Sequence, residues 1–172
     1  VPGELIHAVA TAGEVAQARA LFEEYAAQLG VSLCFQDFDH ELATLPGSYA
    51  PPRGGLWLAS ACGHDGAPAG EPYGCVALRP LAHDGDDAGA SDAAEIKRLY
   101  VRPSARGTGL GRRLAEAALA GARARGYRVV KLDTLAQMHA ARALYVDLGF
   151  RPCAAYYHNP LGGTLYMQKL LD

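Results

Sequence analysis

At 172 residues, with 50% hydrophobic and 20% charged side chains, the chain has the size and composition of one globular domain, and neither disorder nor a fibrous repeat is indicated. No apolar run approaches the ~20 residues of a membrane span, and Val1-Pro2-Gly3-Glu4 lacks the basic and apolar regions of a signal peptide, so a cytoplasmic location without membrane attachment is expected. The net charge of -2 conceals an asymmetry: Lys97 to Lys131 is strongly basic with Glu116 as its one acid, which suits a polyanion, whereas the acid-rich stretch before it suits a cationic partner or plain solvation.

Leu5 to Val9 reads as a short strand. Val15, Ala18, Leu21, Phe22, Tyr25 and Leu29 recur at helical spacing, predicting a helix from Gly13 that Gly30 closes. A second short helix is expected over Asp39 to Leu45, ended by the Pro46-Gly47 and Pro51-Pro52 breaks. Strands at Leu56–Ser60 and Gly74–Leu78 form a hairpin with a long loop, and the polar stretch His83 to Ser91 reads as a mobile surface loop. A β-α-β-α run follows: a strand from Glu95 to Val101, a glycine loop, a helix to Arg125, a strand from Arg128 to Asp133, and a helix to Leu148. Gly126 and Gly149 stand at helix C-caps, each followed by an aromatic residue, and the tail from Pro152 to Leu170 holds two strands around the turn-rich Asn159–Gly163.

Cys34, Cys62, Cys75 and Cys153 are widely spaced with no C-x-x-C pair, as expected of reduced, buried thiols. Cys62-x-His64 and the lone His7, His40, His83 and His139 lack ligand spacing, so no metal site is expected.

The loop Arg106-Gly107-Thr108-Gly109-Leu110-Gly111 lies between a strand and a helix start. The first amides of a helix lack internal partners and point along the positive end of its dipole, so an anion docked there gains several hydrogen bonds. Glycine at 107, 109 and 111 keeps side chains away from that approach, while Arg106 and Arg112 can add charge. A Walker loop is excluded because no Lys-Ser or Lys-Thr follows the glycines. A dinucleotide fingerprint fails in register: its third glycine would fall at Arg112, although Asp133 is spaced to meet a ribose.

Arg106-x-x-Gly109-x-Gly111 resembles the R/Q-x-x-G-x-G/A signature of the GNAT superfamily of acyl-CoA N-acyltransferases. Leu99-Tyr100-Val101 before the loop and Ala143-Leu144-Tyr145-Val146-Asp147-Leu148-Gly149-Phe150 after it are similar to further segments of that family. The resemblance implies an α/β GNAT-like fold over residues 1–172: a mixed, mostly antiparallel twisted sheet with helices on both faces. It also implies acetyl-CoA as acyl donor, held by Leu99, Tyr100, Val101, Arg106, Gly107, Thr108, Gly109, Leu110, Gly111 and Arg112. Met138 departs from the pattern, standing where family members often carry a cofactor-contacting Asn.

For chemistry, the resemblance implies that the Leu99 backbone N–H holds the thioester oxygen and that Tyr145 is the general acid. Glu95 matches the position of a catalytic Glu in some histone-acetylating members, and strand alternation predicts it on the same face as Leu99 and Val101; a solvated or salt-bridged carboxylate is the alternative. Tyr157 and His158 are expected on the acceptor side, with Phe35, Phe38 and Trp57 as wall or core residues. The acceptor is then a small-molecule primary amine or amino acid, or else a protein or peptide N-terminus. A CoA-binding sensor without catalysis keeps the fold but not the chemistry. Nucleic-acid binding is not expected, since only Tyr100 and Tyr127 interleave the basic segment as stacking aromatics. A homodimer is compatible with the resemblance.

Overall fold

The structure is a computed structural model that describes residues 3–81 and 91–172, apart from the side chain of Phe35. The loop expected from His83 to Ser91 therefore lies, up to position 90, outside the described residues. Strand β1 (Glu4–Ala8) leads to helix α1 (Ala12–Leu29), which opens with a capping box between Thr11 and Glu14 and closes at Gly30 in the left-handed region. Helix α2 (Phe38–Thr44) follows, one residue ahead of its expected position. Strands β2 (Gly55–Cys62) and β3 (Pro68–Pro80) form the hairpin, with β3 much longer than its apolar centre suggests.

Strand β4 (Ala93–Val101), helix α3 (Leu110–Ala124), strand β5 (Val129–Leu135) and helix α4 (His139–Asp147) make the β-α-β-α run. Past α3 the chain reverses through Gly126, with the Tyr127 N–H on the Ala122 carbonyl at 3.1 Å. Past α4 it does so through Gly149, with the Phe150 N–H on the Tyr145 carbonyl at 2.9 Å. The tail forms β6 (Arg151–Pro152) and β7 (Thr164–Leu170).

The described residues form a seven-stranded sheet in the order β1-β2-β3-β4-β5-β7-β6. Among the described residues only β4 and β5 pair in parallel, which requires the crossover that α3 supplies; the other neighbours are antiparallel. Apolar runs such as Leu56-Trp57-Leu58-Ala59 are buried on both faces because helices cover both. On one face Trp57, Val76, Leu78, Ile96 and Val130 pack against Leu114, Ala118 and Ala122 of α3 and against Tyr145 of α4. On the other, Leu58, Cys75, Ala77 and Tyr100 pack against Ala18, Leu21 and Phe22 of α1. Gly121 lets α3 lie on the sheet, since a Cβ there would stand 2.4 Å from the Trp57 ring. Trp57 is thus a core residue.

Two irregularities in β4 prepare the site. Its parallel pairing with β5 covers only Ala93, Ala94 and Glu95, after which the two strands part. Its pairing with β3 slips by one residue between Lys97 and Tyr100, a β-bulge at which Arg98 takes a positive φ of 57°. The extra residue reverses the alternation. Glu95, Lys97 and Tyr100 therefore share the α1 face, while Ile96, Leu99 and Val101 pack on the α3 face. The expectation that Glu95 lies on the same face as Leu99 and Val101 is overturned by this bulge.

Candidate active site

The glycine loop follows a short 3-10 turn at Pro103–Ala105, whose last carbonyl accepts from the Thr108 hydroxyl at 2.8 Å. Gly107 and Gly109 take φ of 79° and 80°, a region that an L side chain enters only with strain, and Gly109 is the N-cap of α3. The backbone N–H groups from Gly107 to Arg112 find no hydrogen-bond partner among the described residues. They form an anion cradle at the positive end of α3.

The side chains around this cradle are mostly committed elsewhere. Arg106 donates through Nε to the Val101 carbonyl at 2.9 Å and through Nη2 to Gln28 Oε1 at 2.6 Å. Arg112 pairs with Asp147 at 3.1 Å on the surface. The Leu110 side chain is buried in the core, so that residue offers its backbone alone. Tyr100 is turned to the α1 face, where its hydroxyl accepts from Gln28 and donates to Glu24, so its side chain is not on the cradle side.

Where β4 and β5 part, a cleft opens between them, lined by Leu99 and Lys97 from β4, Asp133 and Thr134 from β5, and Met138 and Tyr145 from the α4 end. Tyr145 is 7% exposed, its ring edge-on to Phe150 at 5.7 Å, and its hydroxyl has no hydrogen-bond partner among the described residues. Burial, with smaller contributions from Tyr25 and Asp133, pushes its pKa above the usual tyrosine value, so it keeps its proton at neutral pH. Met138 joins this wall, its sulfur accepting from the Thr134 hydroxyl at 3.8 Å. Gln137 and His139 beside it are exposed.

The α1 side of the cleft is a linked set of charges. Glu95 is fully buried; its Oε2 takes both Nε and Nη2 of Arg79, at 2.8 and 2.7 Å, and its Oε1 takes the Tyr156 hydroxyl at 2.8 Å. Lys97 Nζ stands between Glu95 at 3.7 Å and Asp133 at 3.2 Å. The Tyr157 hydroxyl donates to Asp133 Oδ2 at 2.8 Å and accepts from Gln36 and Asn159, at 3.3 and 3.0 Å. Arg98 reaches from the bulge to both oxygens of Glu41, at 3.0 and 2.6 Å, and to Gln36 Oε1 at 3.0 Å, with Phe38 stacked 5.1 Å from it.

Glu95 thus occupies a salt bridge, the alternative left open by the sequence, and does not line the cleft. Tyr157 is brought to the cleft edge through Asp133, whereas His158 is exposed and outside the cleft lining. The Phe35 side chain lies outside what is described. Lys97, Arg98, Gln36 and Glu41 carried no motif, and Asp133 stood out in the sequence only for its ribose spacing. Among the described residues no three His, Cys, Asp or Glu are grouped to hold a metal ion, and no helix is long and apolar enough to cross a membrane.

The sequence profile of the acetyltransferase (GNAT) family matches residues 18–150. An uncharacterized N-acetyltransferase of Schizosaccharomyces pombe is 37% identical over 150 residues, covering 87% of this chain and 84% of the relative. A Klebsiella pneumoniae protein described as an acyl-CoA N-acyltransferase superposes with a TM-score of 0.66 at 26% identity, over 100% of both chains. A Salmonella typhimurium protein described as an acetyltransferase and solved with its cofactor acetyl-CoA superposes with a TM-score of 0.68, over 99% of this chain and 95% of the other; at 22% identity it speaks to the fold alone.

Proposed function

This chain belongs to the acetyltransferase (GNAT) family, and from that premise we propose that it transfers the acetyl group of acetyl-CoA to a primary amine of a small molecule by direct attack. The observation that carries the reading is the run of N–H groups from Gly107 to Arg112 with no partner among the described residues, where Gly111 stands next to Val101 of β4 and Leu144 of α4, the elements whose Leu99 and Tyr145 line the cleft. Acetyl-CoA supplies an activated thioester and an anionic diphosphate, and the cradle has the donors such an anion needs.

The residues divide the work. The backbone from Gly107 to Arg112 binds the diphosphate, and Arg106 holds the loop to the end of β4. Leu99 follows the bulge, beyond the last pair between β4 and β5, and its N–H donates to the thioester oxygen as charge develops there. Losing one such donor typically costs about 3 kcal/mol of transition-state stabilisation. Tyr145, still protonated because it is buried, donates to the departing sulfur. The acceptor amine comes from the α1 side, past Tyr157 and the tail.

Incubation with acetyl-CoA and a panel of primary amines, followed by free-thiol release and product mass, tests this. Thiol release that depends on the amine is expected. Failure of acetyl-CoA to bind in a calorimetric titration would overturn the reading.

A further inference from the structure

We infer that Asp133 receives the acceptor nitrogen, and that the acceptor is a primary amine carried on an uncharged, apolar body. The inference rests on the acetyl-transfer reading and extends it to the side of the cleft facing α1.

Among the described residues lining the cleft, Asp133 is the only carboxylate. It lies on β5 beyond the point where β4 departs, with 12% of its side chain exposed. Its two oxygens are held from different directions: Oδ1 by Lys97 Nζ at 3.2 Å and Oδ2 by the Tyr157 hydroxyl at 2.8 Å. That hydroxyl accepts from Gln36 Nε2 and Asn159 Nδ2, which leaves its own proton committed to Asp133. A carboxylate oxygen accepts more than one hydrogen bond, so Asp133 is oriented without being saturated. Tyr157 and Lys97 are positioning residues, and Asp133 is the catalytic one.

The surrounding charges say what else the acceptor carries. Lys97 is shared by Glu95 and Asp133, Arg79 holds Glu95, and Arg98 holds Glu41. The set balances, and a second charge on the acceptor would lose its hydration without gaining a free partner. Leu29, Leu33, Leu135 and Leu161 add apolar wall, and the polar ends of Gln36, Arg98 and Asn159, which also line the cleft, are bonded within the protein, so the remaining wall suits an apolar body. A balanced set also admits the amine in its neutral form, the form that can attack.

Attack forms the N–C bond and makes the nitrogen positive. Its proton passes to the Asp133 carboxylate, the C–S bond breaks, and the thiolate takes a proton from Tyr145. Exchange with water returns both side chains to their starting states.

The test uses three acceptors of one chain length: n-butylamine, 1,4-diaminobutane and 4-aminobutanoate. In wild type, n-butylamine should lead in kcat/KM by about 10-fold or more, the size of a charge left without a partner. Asp133→Asn should lower kcat/KM for n-butylamine by about 100-fold, in the range of a lost general base. It should also weaken n-butylamine binding to the CoA-loaded protein, read by saturation-transfer NMR. Tyr157→Phe, which removes only a hydroxyl, should lower kcat by about 10-fold with KM little changed. Both variants should bind acetyl-CoA within about twofold of wild type, because neither residue belongs to the cradle. Wild-type rates in Asp133→Asn would overturn the inference, as would preference for either charged acceptor, or acetyl-CoA binding with none of the three acetylated. Absence of acetyl-CoA binding to wild type would instead bring down the acetyl-transfer reading, through a measurement in which Asp133 has no part.

Discussion

The two sides of the β4–β5 cleft are built on opposite plans. On the α3 side the polar groups are backbone N–H donors, between Gly107 and Arg112, that have no partner among the described residues. On the α1 side they are side chains joined to one another from Glu41 and Arg98 through Gln36 and Tyr157 to Asp133, Lys97 and Glu95. Open donors at a surface helix end cost little, because water satisfies them until an anion replaces it. Charges away from water cannot wait in that way and must be paired in the folded protein itself. The first side is therefore organised for affinity and the second for orientation, and substitutions should separate the two.

The largest effect is expected on the paired side. Arg98→Ala leaves Glu41 without its guanidinium in a mostly buried setting, and breaking such a pair costs about 3–5 kcal/mol of stability. Denaturant unfolding should show a lower midpoint at unchanged slope. The pH dependence gives a finer reading. Burial raises Glu41, but the hydrogen bonds and charge of Arg98 outweigh it and hold the carboxyl below its ordinary value. A depressed folded value stabilises above the unfolded value of about 4.3 and is lost as pH falls through the folded one. Wild type should therefore lose a component of stability below about pH 4 that Arg98→Ala lacks. Equal acid slopes would show that the pair does not behave as a coupled unit.

Next in size is Tyr145→Phe, at the boundary between the two plans. Losing the proton donor should reduce kcat by about 100-fold and leave the acetyl-CoA Kd within about twofold, since the ring remains packed on Phe150. Unchanged turnover would make Tyr145 a core residue with no part in proton donation.

The contrast also explains what the sequence reveals. The cradle is legible because its parts are contiguous: Arg106 to Gly111 announces a turn, a helix start and open amides within six positions. Helix ends at Gly30, Gly126 and Gly149 are legible for the same local reason. The acceptor side is not, because one inserted residue at Arg98 reverses every side chain that follows it in β4, and nothing in Glu95–Val101 marks that residue. Its other members come from positions as far apart as Gln36 and Tyr157 and meet only in three dimensions. The lopsided charge was visible, but its meaning lies inside the molecule. Glu24 pairs with Arg102, Glu41 with Arg98 and Glu4 with Arg113, so the acidic half of the chain neutralises part of the basic segment.

Smaller effects are expected in the cradle, where geometry is shared among several amides. A Cβ at Gly109 meets no protein atom within 4 Å, so Gly109→Val tests backbone conformation rather than packing. At φ of 80° the added side chain favours relaxation out of the left-handed region, with a strain of about 1–2 kcal/mol. The acetyl-CoA Kd should rise by roughly 10-fold, and the thermal midpoint should fall by the part of that strain which relaxation does not remove.

The smallest effect distinguishes two roles for Arg106. Its guanidinium is bonded to the Val101 carbonyl and to Gln28, so it acts as a brace between α1, β4 and the loop. Arg106→Ala should then raise the acetyl-CoA Kd by only about fivefold, the scale of one or two net hydrogen bonds. Gln28→Ala should reproduce part of that loss, and the double variant should fall short of the sum, because each substitution breaks the same brace. A guanidinium bound to phosphate would behave otherwise: the two losses would add, and Arg106→Ala would flatten the salt dependence of binding. Additive losses with a flattened salt dependence would move Arg106 from the scaffold of the cradle into the cradle itself.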